Sequence, residues 1–359
     1  MLKKMTIKNF KCFKNETVLD FRKTNYKFLE QNTCGKVLKG ALFVGDHASG
    51  KTAVLQSVKL LAELLFWERG CGLAPYPCTF SKEHISSMTY EFETDGHELT
   101  YFLAFSVNAF LEEKLRIDGR TVVERLGKKG KWMKGTETVL CDVEDSVLFL
   151  KELSMKTEFS SGDIEGKWLA CLKKTVYIDA SDRRIAVFDG QGLSAGKYIE
   201  TYGTEEINDF LREHQFPFLI RYCEGIFFER EGTGMIPASM ESSGNRTLLN
   251  ILPAVLSVTR RGGVLLVDSF GSNLHNRLEE LLIRYIMERG TRVQLFMSSH
   301  STNLLSNSLL RPDQIYSLEM RGSEGSRLQR FSDQQPRIAQ NLEKMYLNGT
   351  FGGLPEYKS

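Results

Sequence analysis

The sequence predicts an α/β fold: a mostly parallel sheet covered on both faces, an antiparallel β region, and an α-rich insertion. Three observations carry this. From residue 246 onward, strand-like and helix-like patterns alternate, which is the signature of a parallel sheet with helices on its faces. Residues 88–126 alternate between apolar and polar and are broken by Asp95-Gly96 and Asp118-Gly119. An Asx-Gly pair between strand-like runs is a hairpin signal. Residues 45–52, GDHASGKT, join a short apolar run to a periodic helix through a glycine-bearing loop.

The elements follow in order. The first 22 residues read as two short strands, 4–9 and 17–21, joined by the basic turn Lys11-Cys12-Phe13-Lys14. A buried strand is expected at 41–44. Residues 51–67 read as a helix, since Val54, Val58, Leu61 and Leu65 fall on one apolar stripe. After the antiparallel region, 127–135 (GKKGKWMKG) reads as a basic, glycine-rich loop. Residues 144–235 read as a helical or α+β insertion. The pattern then sharpens: a helix to about 258, a strand at 264–268, a helix at 275–289, a strand at 293–297, a loop with His300, and a strand near 315–319. Pro253 predicts a kink in the first of these helices. The expected division is 1–135, 136–235 and 236–359, with the site-bearing segments at the two ends of the chain and the irregular part between.

Bulk properties narrow the class. A chain of 359 residues supports a large core. Hydrophobic content of 42% and charged content of 26% are ordinary for a water-soluble domain. The net charge of +2 does not by itself call for nucleic acid, so any such surface is local. The seven cysteines form no CxxC pair, and no histidine lies between Cys71 and Cys78, the closest two. Reduced thiols rather than a zinc site are expected, which suits the cytoplasm. The sequence contains no apolar leader and no uncharged apolar stretch of membrane-spanning length, so no membrane association is expected.

GDHASGKT matches G-x-x-x-x-G-K-[ST] with Gly45, Gly50, Lys51 and Thr52. The glycines let backbone N–H groups of Asp46, His47, Ala48 and Ser49 turn toward phosphate oxygens. Lys51 supplies a point charge for β- and γ-phosphates, Thr52 a hydroxyl for Mg²⁺, and the helix start its positive dipole end. The bland alternative is a glycine-rich helix start that binds nothing.

A second group lies in the C-terminal part. Asp268 ends the strand VLLV, where a carboxylate can hold Mg²⁺. Its alternative is an ordinary strand-end aspartate. ESSGNRT (241–247) leads into an apolar helix, and Ser242, Ser243 and Gly244 there offer a hydroxyl, free N–H groups and a dipole to a γ-phosphate. Ser242 or Ser243 would equally serve as a plain N-cap. His300, in MSSHSTNLL, follows a strand end and can hydrogen-bond a γ-phosphate or an attacking water. His275 could be only a helix cap. From 114 to 134, eight basic residues (Lys114, Arg116, Arg120, Arg125, Lys128, Lys129, Lys131 and Lys134) face two acidic ones, Asp118 and Glu124, with Trp132 among them. Such a lobe can track a DNA backbone with the ring stacking a base, or it is a solvated hairpin tip.

The order of these pieces resembles the ABC-type ATPase heads of the SMC, RecF and OLD group, and more closely the small bacterial AAA15/AAA21-type ATPases of phage-defence systems such as Septu, PARIS and retrons. KNFKCFKN, GDHASGKT, ESSGNRTLL, LLVDSFGSNLH, MSSHSTNLL, LRPDQIY and YLNGTFGGLP are similar to that family's motifs. The likeness covers roughly 1–135 and 225–355. It implies a P-loop NTPase of ABC/SMC-head type. That head would bind ATP with Mg²⁺ through Gly45 to Thr52, Lys11 and Asp268, and would close as a homodimer with Ser242, Ser243 and Gly244 on the partner's nucleotide. It further implies anti-phage defence through a separate effector, a nuclease or toxin. His47 stands where asparagine is common. Ser269 stands where the family has its catalytic glutamate, so hydrolysis is expected to be weak or absent. A serine cannot accept a proton usefully at neutral pH, and a lost general base commonly costs about 10²–10⁴-fold in rate. The alternative is an active ATPase in DNA repair or DNA-linked defence, with Glu241 or His300 compensating. A nucleotide-independent interaction protein with a relic site is the third reading.

Overall fold

A computed structural model describes all residues except 68–71, 157–158, 161, 183, 191, 233, 273 and 355–359, and at 134 it describes only the backbone. Cys71 and Asn273, both noted in the sequence, lie outside the described residues.

Two sheets organise the molecule. The first has seven strands in the order Arg184–Val187, Val176–Asp179, Gly263–Asp268, Val293–Ser298, Gly40–Gly45, Ile315–Met320, Ser326–Arg330. Its five inner strands pair in parallel. The two outermost pair antiparallel. The second sheet has eight strands, all antiparallel, running from Glu137–Asp142 through the hairpins of the β region to Leu2–Lys8 and Thr17–Asp20. The α/β expectation with an antiparallel region is borne out.

Local chemistry explains the pattern. Both hairpin turns have positive φ at consecutive positions, Asp95 (49°) and Gly96 (85°), then Asp118 (48°) and Gly119 (79°), the backbone that Asx-Gly supports. Strand Gly40–Gly45 is buried throughout and sends alternate side chains to opposite cores. Ala41 and Phe43 join the core between the sheets; Leu42 and Val44 join the core on the far face. Gly263–Asp268 does the same, with Val264 and Leu266 on one side and Leu265 and Val267 on the other. At Gly40 a Cβ would lie 1.7 Å from the Leu295 carbonyl oxygen, so only glycine lets these two strands approach. Helix Lys51–Phe66 packs between the sheets with Val54, Leu61 and Leu65 buried.

Three sequence expectations are corrected or refined. Residues 127–135 are not a loop: Lys129–Lys134 is a strand paired with both Arg120–Leu126 and Glu137–Asp142. Gly130 misled the reading, because it serves close packing rather than a turn; a Cβ there would lie 2.8 Å from Phe149. The helix containing Pro253 is continuous from Ser243 to Arg261. Finally, Val176–Asp179, from within the 136–235 segment, lies beside Gly263–Asp268 in the parallel sheet. No helix among the described residues is long and apolar enough to cross a membrane. The six described cysteines are free thiols.

Candidate functional site

The loop after Gly40–Gly45 wraps onto the start of Lys51–Phe66. Three of its residues take left-handed backbone: Gly45 (φ 147°), Ala48 (57°) and Gly50 (102°). A Cβ at Gly45 would meet the Leu318 carbonyl oxygen at 2.3 Å, and one at Gly50 would meet Cys12 Sγ at 2.5 Å. Only glycine fits either position, so the sequence motif follows from geometry. Inside the loop, Lys51 Nζ donates to the carbonyls of Gly45 (2.9 Å) and Asp46 (2.7 Å). Burial lowers the Lys51 pKa to about 8 against the opposing pull of Asp268 and Asp46. Ser49 Oγ is buried with no hydrogen-bond partner.

The loop opens on a cavity of about 550 Å³. His47 through Thr52 line it from one side; Asp268, Ser269, Ser298 and His300 line it from the other. Lys11 and Cys12 of the N-terminal turn line it as well, as does Phe80. Lys11 has φ of 54°, its N–H donates to the Tyr76 carbonyl, and its ammonium lies 4.9 Å from the Tyr76 ring centroid. Segments more than 200 residues apart in sequence thus form one pocket because their strands are neighbours in the sheet.

Asp268 is 5% exposed. Its Oδ1 accepts from Ser298 Oγ and from the Ser269 N–H (3.1 Å), and its Oδ2 from Tyr177 OH (3.3 Å). Ser298 and Tyr177 were missed by sequence reasoning. Ser298 sits two residues before His300 in MSSH, and its strand-end position was an available signal; Tyr177 offered none. Ser269 has φ of +56°, and its N–H also donates to Ser298 Oγ (2.8 Å). The imidazoles of His47 and His300 stack with centroids 4.4 Å apart. Burial first, then the Lys51 and His47 charges, lowers the His300 pKa, which favours the neutral ring.

The residues present suit a triphosphate with Mg²⁺. The orphaned Ser49 hydroxyl and the glycine cradle accommodate phosphate oxygens. The Thr52 hydroxyl and one carboxylate, Asp268, are the sparse oxygen set with which Mg²⁺ is held when phosphates and water complete its shell. No group of three or more His, Cys, Asp or Glu capable of holding a metal occurs among the described residues.

Other predicted residues lie elsewhere. Ser242, Ser243 and Gly244 do not line this cavity. Ser242 caps the helix Ser243–Arg261, accepting from the Asn245 N–H at 3.3 Å, and both serines are exposed. Glu241 is tied to Arg230 (2.6 Å) and to the Ser242 N–H (2.7 Å), which outweigh burial and hold its carboxyl below the usual range. It does not line the cavity either, so it is no substitute base in this arrangement. His275 caps the helix Asn276–Arg289. Part of the basic run is paired or buried. Lys114 pairs with Glu124 (2.8 Å), Lys128 with Asp145 (3.2 Å) and Lys129 with Asp142 (2.6 Å). Arg125 is fully buried and donates to the carbonyls of Gly127, Glu144 and Val147. Trp132 is 6% exposed and packs against Phe159, so it is not available to stack a base.

Comparison with known proteins matches this architecture. Residues 173–306 match the family model described as "AAA domain, putative AbiEii toxin, Type IV TA system". The SMC head domain from Thermotoga maritima covers 92% of this chain and 98% of its own, at 14% identity and a TM-score of 0.52. An Smc head bound to the C-winged helix domain of ScpA covers 91% and 97%, at 14% identity and 0.51. A third, an Smc head with an extended coiled coil bound to the C-terminal domain of ScpA, from Pyrococcus furiosus, covers 91% and 95%, at 12% identity and 0.50. No curated protein matches the chain. The fold is an SMC-head type of P-loop NTPase, and the resemblance to ABC/SMC-type and small AAA ATPases read from the motifs is borne out.

Proposed function

We propose that this chain binds ATP with Mg²⁺ in the cavity formed by the phosphate loop and Asp268, and that it works as a slowly hydrolysing, nucleotide-dependent switch. One observation carries the reading. His47 to Thr52 and the Asp268 carboxylate line one pocket, while the residue that follows the carboxylate, also in that lining, is a serine. Lys51 would hold the β- and γ-phosphates, with the loop N–H groups and Ser49 around them. Thr52 and Asp268 would hold Mg²⁺, which supplies charge neutralisation when bound. Ser298 and Tyr177 fix the Asp268 carboxylate, and Lys11 lines the same cavity. The exposed N-terminus of helix Ser243–Arg261 suits a γ-phosphate presented by a second copy of the chain, which gives an ATP-closed homodimer. A separate effector protein, a nuclease or toxin, would read the closed state, and anti-phage defence is the setting that the resemblance favours.

A second reading, an active ATPase in DNA-linked defence or repair, is favoured by His300. Its lowered pKa favours a neutral imidazole at the pocket, able to accept a proton. ATP binding and ATP turnover, measured on the same sample with Lys51→Ala as the blank, separate the two. Tight binding with turnover well below about 1 s⁻¹ supports the switch; lysine-dependent turnover at or above that ordinary enzyme rate overturns it.

A further inference from the structure

A second cavity, of about 610 Å³, lies at the opposite end of the parallel sheet. Its walls come from six regions: Met1, the segment that carries Cys34 and Val37, the turn between the strands Ser86–Thr94 and His97–Phe105, the helix Ile164–Lys173, the junction between helix Ser243–Arg261 and strand Gly263–Asp268, and the approach to Val293–Ser298. Four cationic side chains, Lys167, Lys174, Arg261 and Arg292, line it against two carboxylates, Glu93 and Asp95. One carboxylate serves two of the cations, since Asp95 pairs with both Lys167 (3.1 Å) and Arg292 (3.3 Å). Lys174 donates to the carbonyl of Arg261 (2.9 Å), a neutral partner, and Arg261 pairs with Asp189, outside the lining.

The backbone makes room for this arrangement. Gly262 (φ 72°) and Gly263 (φ 120°) form part of the wall, and a Cβ at Gly263 would stand 2.8 Å from the Lys174 carbonyl oxygen. A concave space with an excess of positive charge and glycine backbone on one wall is suited to a compact anion. Among the described residues no aromatic side chain lines it, so the described lining offers no ring to stack a base.

We propose that this cavity is a binding site for a small phosphorylated anion, distinct from the nucleotide pocket and independent of the reading of that pocket. Phosphate oxygens take the Lys167, Lys174 and Arg292 donors, and Asp95 is displaced from one of its two partners. The floor is the start of two parallel strands that end at Asp179 and Asp268. An occupant therefore touches, from about 17 Å away, the same strand that carries the Asp268 carboxylate.

Inorganic pyrophosphate is the probe, titrated calorimetrically into the full chain bearing Lys51→Ala, which silences the phosphate loop. The expected result is residual one-to-one binding that Lys167→Glu or Arg292→Glu weakens at least about tenfold, with the milder Lys167→Ala giving a smaller loss in the same direction. Cys34 and Cys171 line this cavity, whereas Cys223 does not and is exposed. Bound pyrophosphate is expected to protect the first two from iodoacetamide, read by mass spectrometry, and to leave Cys223 labelling as before. Absence of binding in the Lys51→Ala chain, binding indifferent to the charge reversals, or binding without protection of Cys34 and Cys171 would each overturn the proposal.

Discussion

The phosphate-loop pocket and the N-terminus of helix Ser243–Arg261 are the two halves of the chemistry that the motifs announce, and they are built in opposite ways. The pocket holds buried polar groups. Lys51 is 8% exposed, Asp268 is 5% exposed, and Ser49 keeps a buried hydroxyl unpartnered. The helix start is open: its serines are exposed, and Ser242 is already occupied as a cap. Buried, under-satisfied polar groups mark a site prepared within one chain. An exposed, self-capped helix end can act only on something brought to it. On the function proposed above, one copy would hold the nucleotide and a second copy would complete the contact.

The largest expected effect sharpens the pocket half. Ser269→Glu is predicted to raise steady-state ATP turnover by about 10²–10⁴-fold, with ATP affinity within a few-fold of the unaltered protein. No gain would mean that the pocket lacks more than a base. Lys51→Ala is predicted to weaken ATP binding at least about a hundredfold, about 2.7 kcal/mol, by calorimetry with Mg²⁺ present. Asp268→Asn is predicted to remove the Mg²⁺-dependent part of the affinity, roughly tenfold, and to leave the metal-free part unchanged.

A pH effect follows from Lys51. Burial lowers its pKa to about 8, so in the free protein it is charged below that value and loses charge above it. A bound phosphate holds the proton on. Affinity is therefore flat up to about pH 8 and falls above it, by at most about tenfold per unit. Calorimetry at two pH values on either side of 8 reads this, and Lys51→Arg, which stays charged, is expected to flatten it. The smallest expected effect breaks the comparison if it fails. Ser243→Glu places a carboxylate at a helix start that tolerates one. Binding of ATP to a single protomer should stay within about twofold, while ATP-dependent dimer formation, read by light scattering, is lost through repulsion of the γ-phosphate. A fall in single-protomer affinity would place the helix end at the chain's own nucleotide.

The parts legible in the sequence were those whose chemistry is local. A phosphate loop needs glycine at Gly45 and Gly50 because of contacts that a Cβ would make, and Asx-Gly turns declare their own φ values. Strand Lys129–Lys134 was misread because its lysines and glycine suggested a loop. Gly130 and Trp132 face inward between outward lysines, which is the alternation of a strand. Tyr177 and Ser298 were invisible as site residues because their contact with Asp268 spans 91 and 30 positions of sequence. Only the parallel pairing of three strands brings them together.

Ser269 sits with φ of +56°, in the left-handed region where a residue with a Cβ bears a cost of about 1–2 kcal/mol that glycine escapes. A glutamate there would bear the same backbone cost as the serine it replaces, so Ser269→Glu adds a base without new backbone strain, while Ser269→Gly relieves the strain and supplies no base.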